Sequence, residues 1–253
     1  MLFHPFGPKP ANHRHLMANT KPLAAQNPSH VSLITSAVRA ISVEAEGLGA
    51  LAAALRNGLG APFVAAVELI RNAKGRVVVT GMGKSGHIAR KIAATLASTG
   101  TTAFFIHAGD AGHGDLGMIA PDSDVIVALS WSGETTELKS LIDYSRRHRI
   151  GLIAVTAVAH STLGQAADIT LTLPEAREAC PHNLAPTTSS LMQLALGDAL
   201  AIALLESRGF TAIDFGLLHP GGKLGALLQT VRHLMHSGKE VPLALLGARM
   251  SEA

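Results

Sequence analysis

Three stretches combine glycine and hydroxyl side chains in a way that suits a bound anion: Gly83-Lys84-Ser85-Gly86, Ser130-Trp131-Ser132-Gly133-Glu134-Thr135 and Pro186-Thr187-Thr188-Ser189-Ser190. The first two follow short β-branched runs, and the third opens a long helical pattern. A helix N-terminus offers unpaired backbone N–H groups and the positive end of the helix dipole, and both favour negative charge. Glycine lets the backbone approach such a ligand closely. One Ser/Thr cluster before a helix is ordinarily a plain N-cap. Three of them in one domain point to a phosphate on the ligand.

Two other anion chemistries share parts of the first loop. Gly81-x-Gly83-x-x-Gly86 has the spacing of a dinucleotide fingerprint, which also wants an acid at the end of the second strand for the ribose. Here that strand ends in His107. Gly83-Lys84-Ser85 resembles the tail of a nucleotide P-loop, but the required first glycine falls at Val78, so phosphoryl transfer lacks its cradle.

The ionisable residues near these loops leave alternatives open. Lys84 suits pairing with phosphate, polarising a carbonyl, or simple solvation. Glu137, seven residues beyond Ser130, either faces the site or is a first-turn glutamate that suits the dipole. Glu178 and Cys180 share the loop Arg177-Glu178-Ala179-Cys180-Pro181, His113 lies in Gly112-His113-Gly114-Asp115, and His219 precedes Pro220-Gly221-Gly222. A lone histidine is more often structural or solvated than catalytic. His107, His113 and Asp115 are metal-ligand types without a spacing that compels a site, so no metal is expected.

The elements that must position these residues are legible from hydrophobic period. Leu33, Ala37, Ala40, Ile41, Leu48, Leu51 and Leu55 fall three and four apart, which predicts a helix from Val31 to about Asn57, with a second over Ala61–Asn72. Then the period changes. Arg76–Thr80, Thr102–His107, Asp124–Ser130, Leu152–Thr156 and Asp168–Leu173 read as short, doubly buried strands. Helical patterns follow the first to Ser98, cover Thr135–His148, and run over Thr187–Ser207 to a glycine stop at Arg208-Gly209. The fold class is α/β, a three-layer sandwich with a roughly five-stranded parallel sheet and extra helices at both ends. In such a sheet ligands bind beyond the C-terminal ends of the strands, where the first two loops fall.

Composition sets the outer bounds. Hydrophobic residues make up 47%, charged ones 15% and aromatics 4%, a thin polar coat that suggests coverage by other subunits. The one cysteine excludes an internal disulfide and fits a reducing compartment. The formal charge is +3 with no Lys/Arg run longer than two, which argues against nucleic acid. No apolar stretch is expected to reach the roughly 18 residues of a membrane span. Residues 1–30 carry Pro, His and Asn without an apolar signal core or an acidic residue. They are expected to be a disordered extension, or to precede a natural start at Met17, and their composition also admits an organelle transit peptide.

Taken together, the segments GMGKSGHIARKIAATLASTGT (81–101), GHGDLGMI (112–119), SGETTE (132–137), EACPHNLAPTTSS (178–190) and GDALAIALLESRGFTAIDFGLLHPGGKLG (197–225) resemble the sugar isomerase (SIS) domain family. Within it they are similar to bacterial arabinose 5-phosphate isomerases. The likeness runs from about Val31 to Pro242 and places the SIS domain over 31–230. It implies a SIS-type, flavodoxin-like sheet and reversible conversion of D-arabinose 5-phosphate to D-ribulose 5-phosphate through an enediol, without a cofactor. That step feeds the Kdo sugar of lipopolysaccharide. The resemblance carries catalytic positions onto Lys84, Glu137, Glu178 and His219, with His113 lining the site, and phosphate-binding hydroxyls onto Ser85, Ser130, Ser132, Thr135 and Thr188. It further implies a cytoplasmic homotetramer whose active sites are shared between subunits. Two features depart from the pattern. Trp131 replaces a small polar residue, and Arg232-His233-Leu234-Met235-His236 resembles the start of a CBS module, so 231–253 is expected to be a truncated one. A non-catalytic sugar-phosphate sensor and another SIS sugar-phosphate enzyme are the competing functions; residues 1–75 lack the basic recognition helix that a DNA-linked sensor carries.

Overall fold

Short runs of Val, Ile, Ala and Phe form the strands β1 (Val77–Gly81), β2 (Ala103–His107), β3 (Val125–Leu129), β4 (Gly151–Thr156) and β5 (Ile169–Thr172). All neighbours pair in parallel, in the order β2-β1-β3-β4-β5. β1 and β3 are buried along their whole length, as a sheet covered on both faces demands. The computed structural model describes residues 29–219, 221, 235–241, 243, 247 and 249. Nearly all of the expected extension over 1–30 and most of the CBS-like 231–253 lie outside those residues.

The chain divides into two compact units, residues 1–37 and 38–253. In the first, the Ser32 N–H meets Ser29 Oγ at 3.2 Å, and Val31, Leu33 and Ile34 are exposed. The second holds the sheet. The helices, in chain order, are α1 (His30–Arg56), α2 (Gly60–Asn72), α3 (Gly83–Ser98), α4 (Ala108–Ala111), α5 (Lys139–His148), α6 (Thr162–Ala166), α7 (Thr188–Ser207) and α8 (Ala212–Leu218). One face of the sheet packs Val77, Val79, Val127 and Val155 against α2, α3 and α7. The other packs Val78, Ile126 and Leu152 against α4, α5 and α6. Period-two alternation along each strand sends neighbours into opposite cores.

Three expectations need amending. The helix expected over Thr135–His148 is a 3₁₀ turn, Thr136–Leu138, followed by α5. Thr135 stays extended because its hydroxyl bonds Ser130 Oγ, a local bond that competes with helix formation. Helix α8 was not foreseen, although Thr211 and Asp214 form a complete capping box at its start. Last, α7 has the length and apolar composition to cross a membrane, contrary to the expectation that no stretch does. Its Met192, Leu196, Leu200, Ala201 and Leu204 are buried in the core beside α3.

The packing of α7 on α3 fixes where both helices begin. A Cβ at Gly197 would overlap the Ile92 side chain, so the two backbones meet there. Lys91 pairs with Asp198, and Arg208 Nη1 reaches Gly100 O at 3.2 Å beyond the end of α3. Contacts that advance together along both helices mean that they run parallel. Nine residues before Gly197 stands Thr188, and nine before Ile92 stands Gly83. The two N-termini are therefore level, at the C-terminal edge of the sheet.

Candidate active site

The sheet order reverses between β1 and β3: the chain leaves β1 for β2 on one side and returns to β3 on the other. Loops that diverge at such a switch point leave a crevice at the strand ends. Here they are 81–86 and 130–135.

The first loop is set by glycine. Gly83 has φ +56, in the left-handed region, and a Cβ at Gly86 would stand 2.8 Å from Gly81 O. Helix α3 thus starts directly against the end of β1. Lys84 and Ser85 occupy its first turn; Ser85 is half-buried, while Lys84 is exposed and makes no ion pair or hydrogen bond among the described residues.

The second loop is closed by its own hydroxyls. Buried Ser130 Oγ lies 2.7 Å from Thr135 Oγ1 and accepts the Gly133 N–H at 3.0 Å. Exposed Ser132 accepts the Glu134 N–H at 3.2 Å. Gly133 takes φ +70, and a Cβ there would overlap Ser161 Oγ. The Glu134 carboxylate accepts both the hydroxyl and the N–H of Thr162, at 2.6 and 2.8 Å, and those donors hold it below the usual carboxyl range. Trp131 packs its half-buried ring on the core, and its carbonyl accepts Thr156 Oγ1 and the Ala157 N–H. Glu137 follows on the 3₁₀ turn, exposed, taking one bond from Thr136 Oγ1 at 3.1 Å.

At the start of α7 the third cluster meets Glu178. Glu178 Oε2 accepts the Thr187 N–H at 2.7 Å, Thr187 Oγ1 at 2.9 Å and the Ser189 N–H at 3.3 Å. Thr187 Oγ1 accepts the Ala179 N–H at 2.8 Å, and the Glu178 N–H bonds Asn183 Oδ1 at 2.7 Å. Partial burial pushes the Glu178 pKa up, but the Ser189 and Thr187 donors outweigh it and leave it lowered. The backbone N–H groups of Ala185, Leu184 and His182 hold the nearby Cys180 thiol below its ordinary value. Thr188 is fully buried; a Cβ at Gly47 would overlap its methyl, and its hydroxyl has no hydrogen-bond partner.

The structure thus brings Lys84, Ser85, Ser130, Ser132 and Thr135 to the switch-point loops, with Glu178 and Thr188 at the level of the α3 N-terminus. Two histidines behave differently. His113 sits exposed in the turn after α4, where its backbone N–H bonds Asp110 O at 2.9 Å and its ring makes no hydrogen bond among the described residues. His219 ends α8; its ring stacks on Phe215 at 4.0 Å, and Nδ1 lies 2.9 Å from Phe215 O. No described contact joins it to the strand-end loops. Among the described residues no three His, Cys, Asp or Glu side chains group as metal ligands, so His107, His113 and Asp115 do not assemble one.

Three residues with structural parts in the site carried no role from the sequence. Thr187 was visible only as a member of a hydroxyl cluster, and its partner Glu178 lies nine positions away across an irregular loop. Glu134 and Ser161 act across 28 residues of chain, the first bonding Thr162 and the second lying under Gly133. No local spacing announces such pairs.

With this geometry in view, the relatives of the chain are informative. A family model described as SIS domain matches residues 69–203. The arabinose 5-phosphate isomerase KdsD of Pseudomonas aeruginosa is 51% identical over 225 residues, covering 88% of this chain and 68% of that protein. The KdsD of Salmonella typhi is 51% identical over 203 residues, 80% of this chain and 60% of its own length. The chain therefore spans about two thirds or less of the curated relatives it matches. Among solved structures, E. coli CFT073 c3406 in complex with A5P superimposes with a TM-score of 0.71 at 40% identity, covering 76% of this chain and all of that one.

Proposed function

The chain belongs to the SIS domain family, and we propose that within it this protein interconverts D-arabinose 5-phosphate and D-ribulose 5-phosphate. One observation carries the reading beyond likeness: the Glu178 carboxylate stands at the N-terminus of α7, level with the start of α3 and its loop after β1. A phosphorylated sugar with an acidic C–H needs that pairing, an anion cradle at one end and a carboxylate base at the other.

In the proposed reaction the phosphate lies against Ser85, Ser130, Ser132, Thr135 and Thr188. Its binding energy fixes a short, flexible chain in reacting geometry. His219 assists ring opening. Glu178 takes the proton from C2 of the open aldose; the C2–H electrons form the C1=C2 bond, the carbonyl electrons move onto the C1 oxygen, and an oxygen-side acid protonates it to give the enediol. The proton is then delivered from Glu178 to C1, while the C2 hydroxyl returns a proton to the oxygen-side acid and becomes the ketone. Glu137 serves the oxygen side or exchanges roles with Glu178, and Lys84 stabilises the enediolate or the phosphate. His113 lines the site.

Among the described residues the contacts of His219 stay within α8, and this suits a homotetramer in which a neighbouring subunit completes each site. In this reading the enzyme works in the cytoplasm and its substrate is drawn into the Kdo sugar of lipopolysaccharide. The test is incubation of chelator-treated protein with D-arabinose 5-phosphate in D₂O, followed by NMR. Ketose formation with deuterium at C2 on reversal is the expected result. Absence of ketose with sugar-phosphate binding retained would replace the isomerase by a sensor.

A further inference from the structure

The proton-transfer carboxylate is held at the start of α7, beside Thr188 of the phosphate cradle. All three bonds to the Glu178 carboxylate end on one oxygen, Oε2, and two come from a single residue, Thr187, through its N–H and its hydroxyl. The Thr187 hydroxyl has one proton to donate and gives it to Oε2. It accepts in turn from the Ala179 N–H at 2.8 Å, which fixes its direction. Glu178 and Thr187 thereby close the loop 178–187 as a ring, with Asn183 Oδ1 bracing the Glu178 N–H from inside, at φ +54.

We infer that Thr187 is the positioning residue for the base: its hydroxyl anchors Oε2 and so aims the carboxylate. The inference rests on the reading of Glu178 as the C2/C1 base. A carboxylate bonded by hydroxyl and amide donors is favoured in its charged form, and the lowered Glu178 pKa has these donors among its causes, against partial burial. The other charged or titratable groups about Glu178 are few. Arg177, Cys180 and His182 flank it in its own loop. From α1, Arg39 Nη1 reaches Ala179 O at 3.0 Å. The first turn of α7, Thr188-Ser189-Ser190-Leu191, brings no charge. None of these donates to the carboxylate in the structure, so Thr187 and Ser189 set its state.

The experiment compares Thr187→Val, Thr187→Ser, Glu178→Gln and the double variant Glu178→Gln/Thr187→Val, each checked for native circular dichroism, on D-arabinose 5-phosphate from pH 5 to 9. Thr187→Val should lower kcat roughly ten- to a hundredfold, the range for losing one hydrogen bond to a charged group, with KM within about twofold. Its acidic limb should move to higher pH, because a carboxyl that loses a donor holds its proton longer. Thr187→Ser should restore both. On the Glu178→Gln background the valine should add almost nothing, because the residue acts only through that carboxylate. An unmoved acidic limb, or a full further loss on the Glu178→Gln background, overturns the inference and leaves the base intact. Wild-type turnover in Glu178→Gln instead removes the base itself, and the positioning role with it.

Discussion

The two edges of the sheet treat their buried polar groups differently. At the N-terminal edge Asp124 and Asp168 are fastened on both backbone and side-chain donors. Asp124 accepts the backbone N–H groups of Arg76 and Ala120 at 2.7 and 2.9 Å and the Arg76 guanidinium at 3.0 Å. Asp168 binds the Leu152 N–H at 2.8 Å and the Arg146 guanidinium at 2.9 Å. At the C-terminal edge Glu134 and Glu178 are bonded too, but other groups are left open. Among the described residues the buried hydroxyls of Thr80 and Thr188 have no hydrogen-bond partner, His107 Nδ1 faces the Asp110 carboxylate at 3.6 Å, and exposed Lys84 meets no carboxylate. Buried polar groups ordinarily find partners, so the unpartnered hydroxyls at this edge suit the proposed phosphate cradle.

This contrast can be broken at either edge. The largest effect belongs to Glu178→Gln, which should lower turnover roughly 10²- to 10⁴-fold in a ketose-forming assay, the scale of a lost acid/base group. Its urea midpoint should hardly move, because the amide oxygen still accepts the α7 donors. Asp124→Ala is the mirror image. It strands buried donors and should cost about 3 kcal/mol of unfolding free energy by urea titration, with kcat per folded molecule unchanged.

Acid should reach the fastened edge next. Burial pushes the Asp124 pKa up, but the Arg76 side chain and the backbone donors of Ala120 and Arg76 outweigh it and leave it lowered. A carboxyl with a lower pKa in the folded chain contributes stability above its ordinary value of 3.8 and loses it as pH falls through the folded value. The urea midpoint of the wild type should therefore drop on acidification below about pH 5, and that drop should be shallower in Asp124→Asn. The smallest effect is Ser132→Ala, expected to weaken inorganic phosphate binding by about 1 kcal/mol in calorimetry, with kcat nearly unchanged. An unaltered phosphate affinity would take Ser132 out of the cradle.

What the sequence made legible follows the same division. Strand and helix order could be read because Val77-Val78-Val79 and Val125-Ile126-Val127 have a burial pattern that depends only on neighbours in the chain. The hydroxyl clusters could be read because glycine and serine before a helix announce a backbone end. Contacts between distant segments could not. That Thr187 holds Glu178, that Glu134 ties the second loop to α6, or that Ile92 sits under Gly197 depends on closing the chain over many residues, and no local period records it. The break at Thr135 was hidden for a related reason: a single hydroxyl bond overrode a helical pattern. For α7 the error ran the other way, since a core helix buried beside α3 and a membrane helix share one composition.

Trp131 is the only tryptophan in the chain, and it stands between Ser130 and Ser132 with its ring half-buried on the core. The indole emission of this protein therefore arises at one address, the loop proposed to cradle the phosphate. A fluorescence titration reports on that loop without a label or a coupled enzyme. Stopped-flow mixing with inorganic phosphate and then with the sugar phosphate separates the anchoring of the charged group from the later steps of the sugar, on one signal and in the unmodified chain.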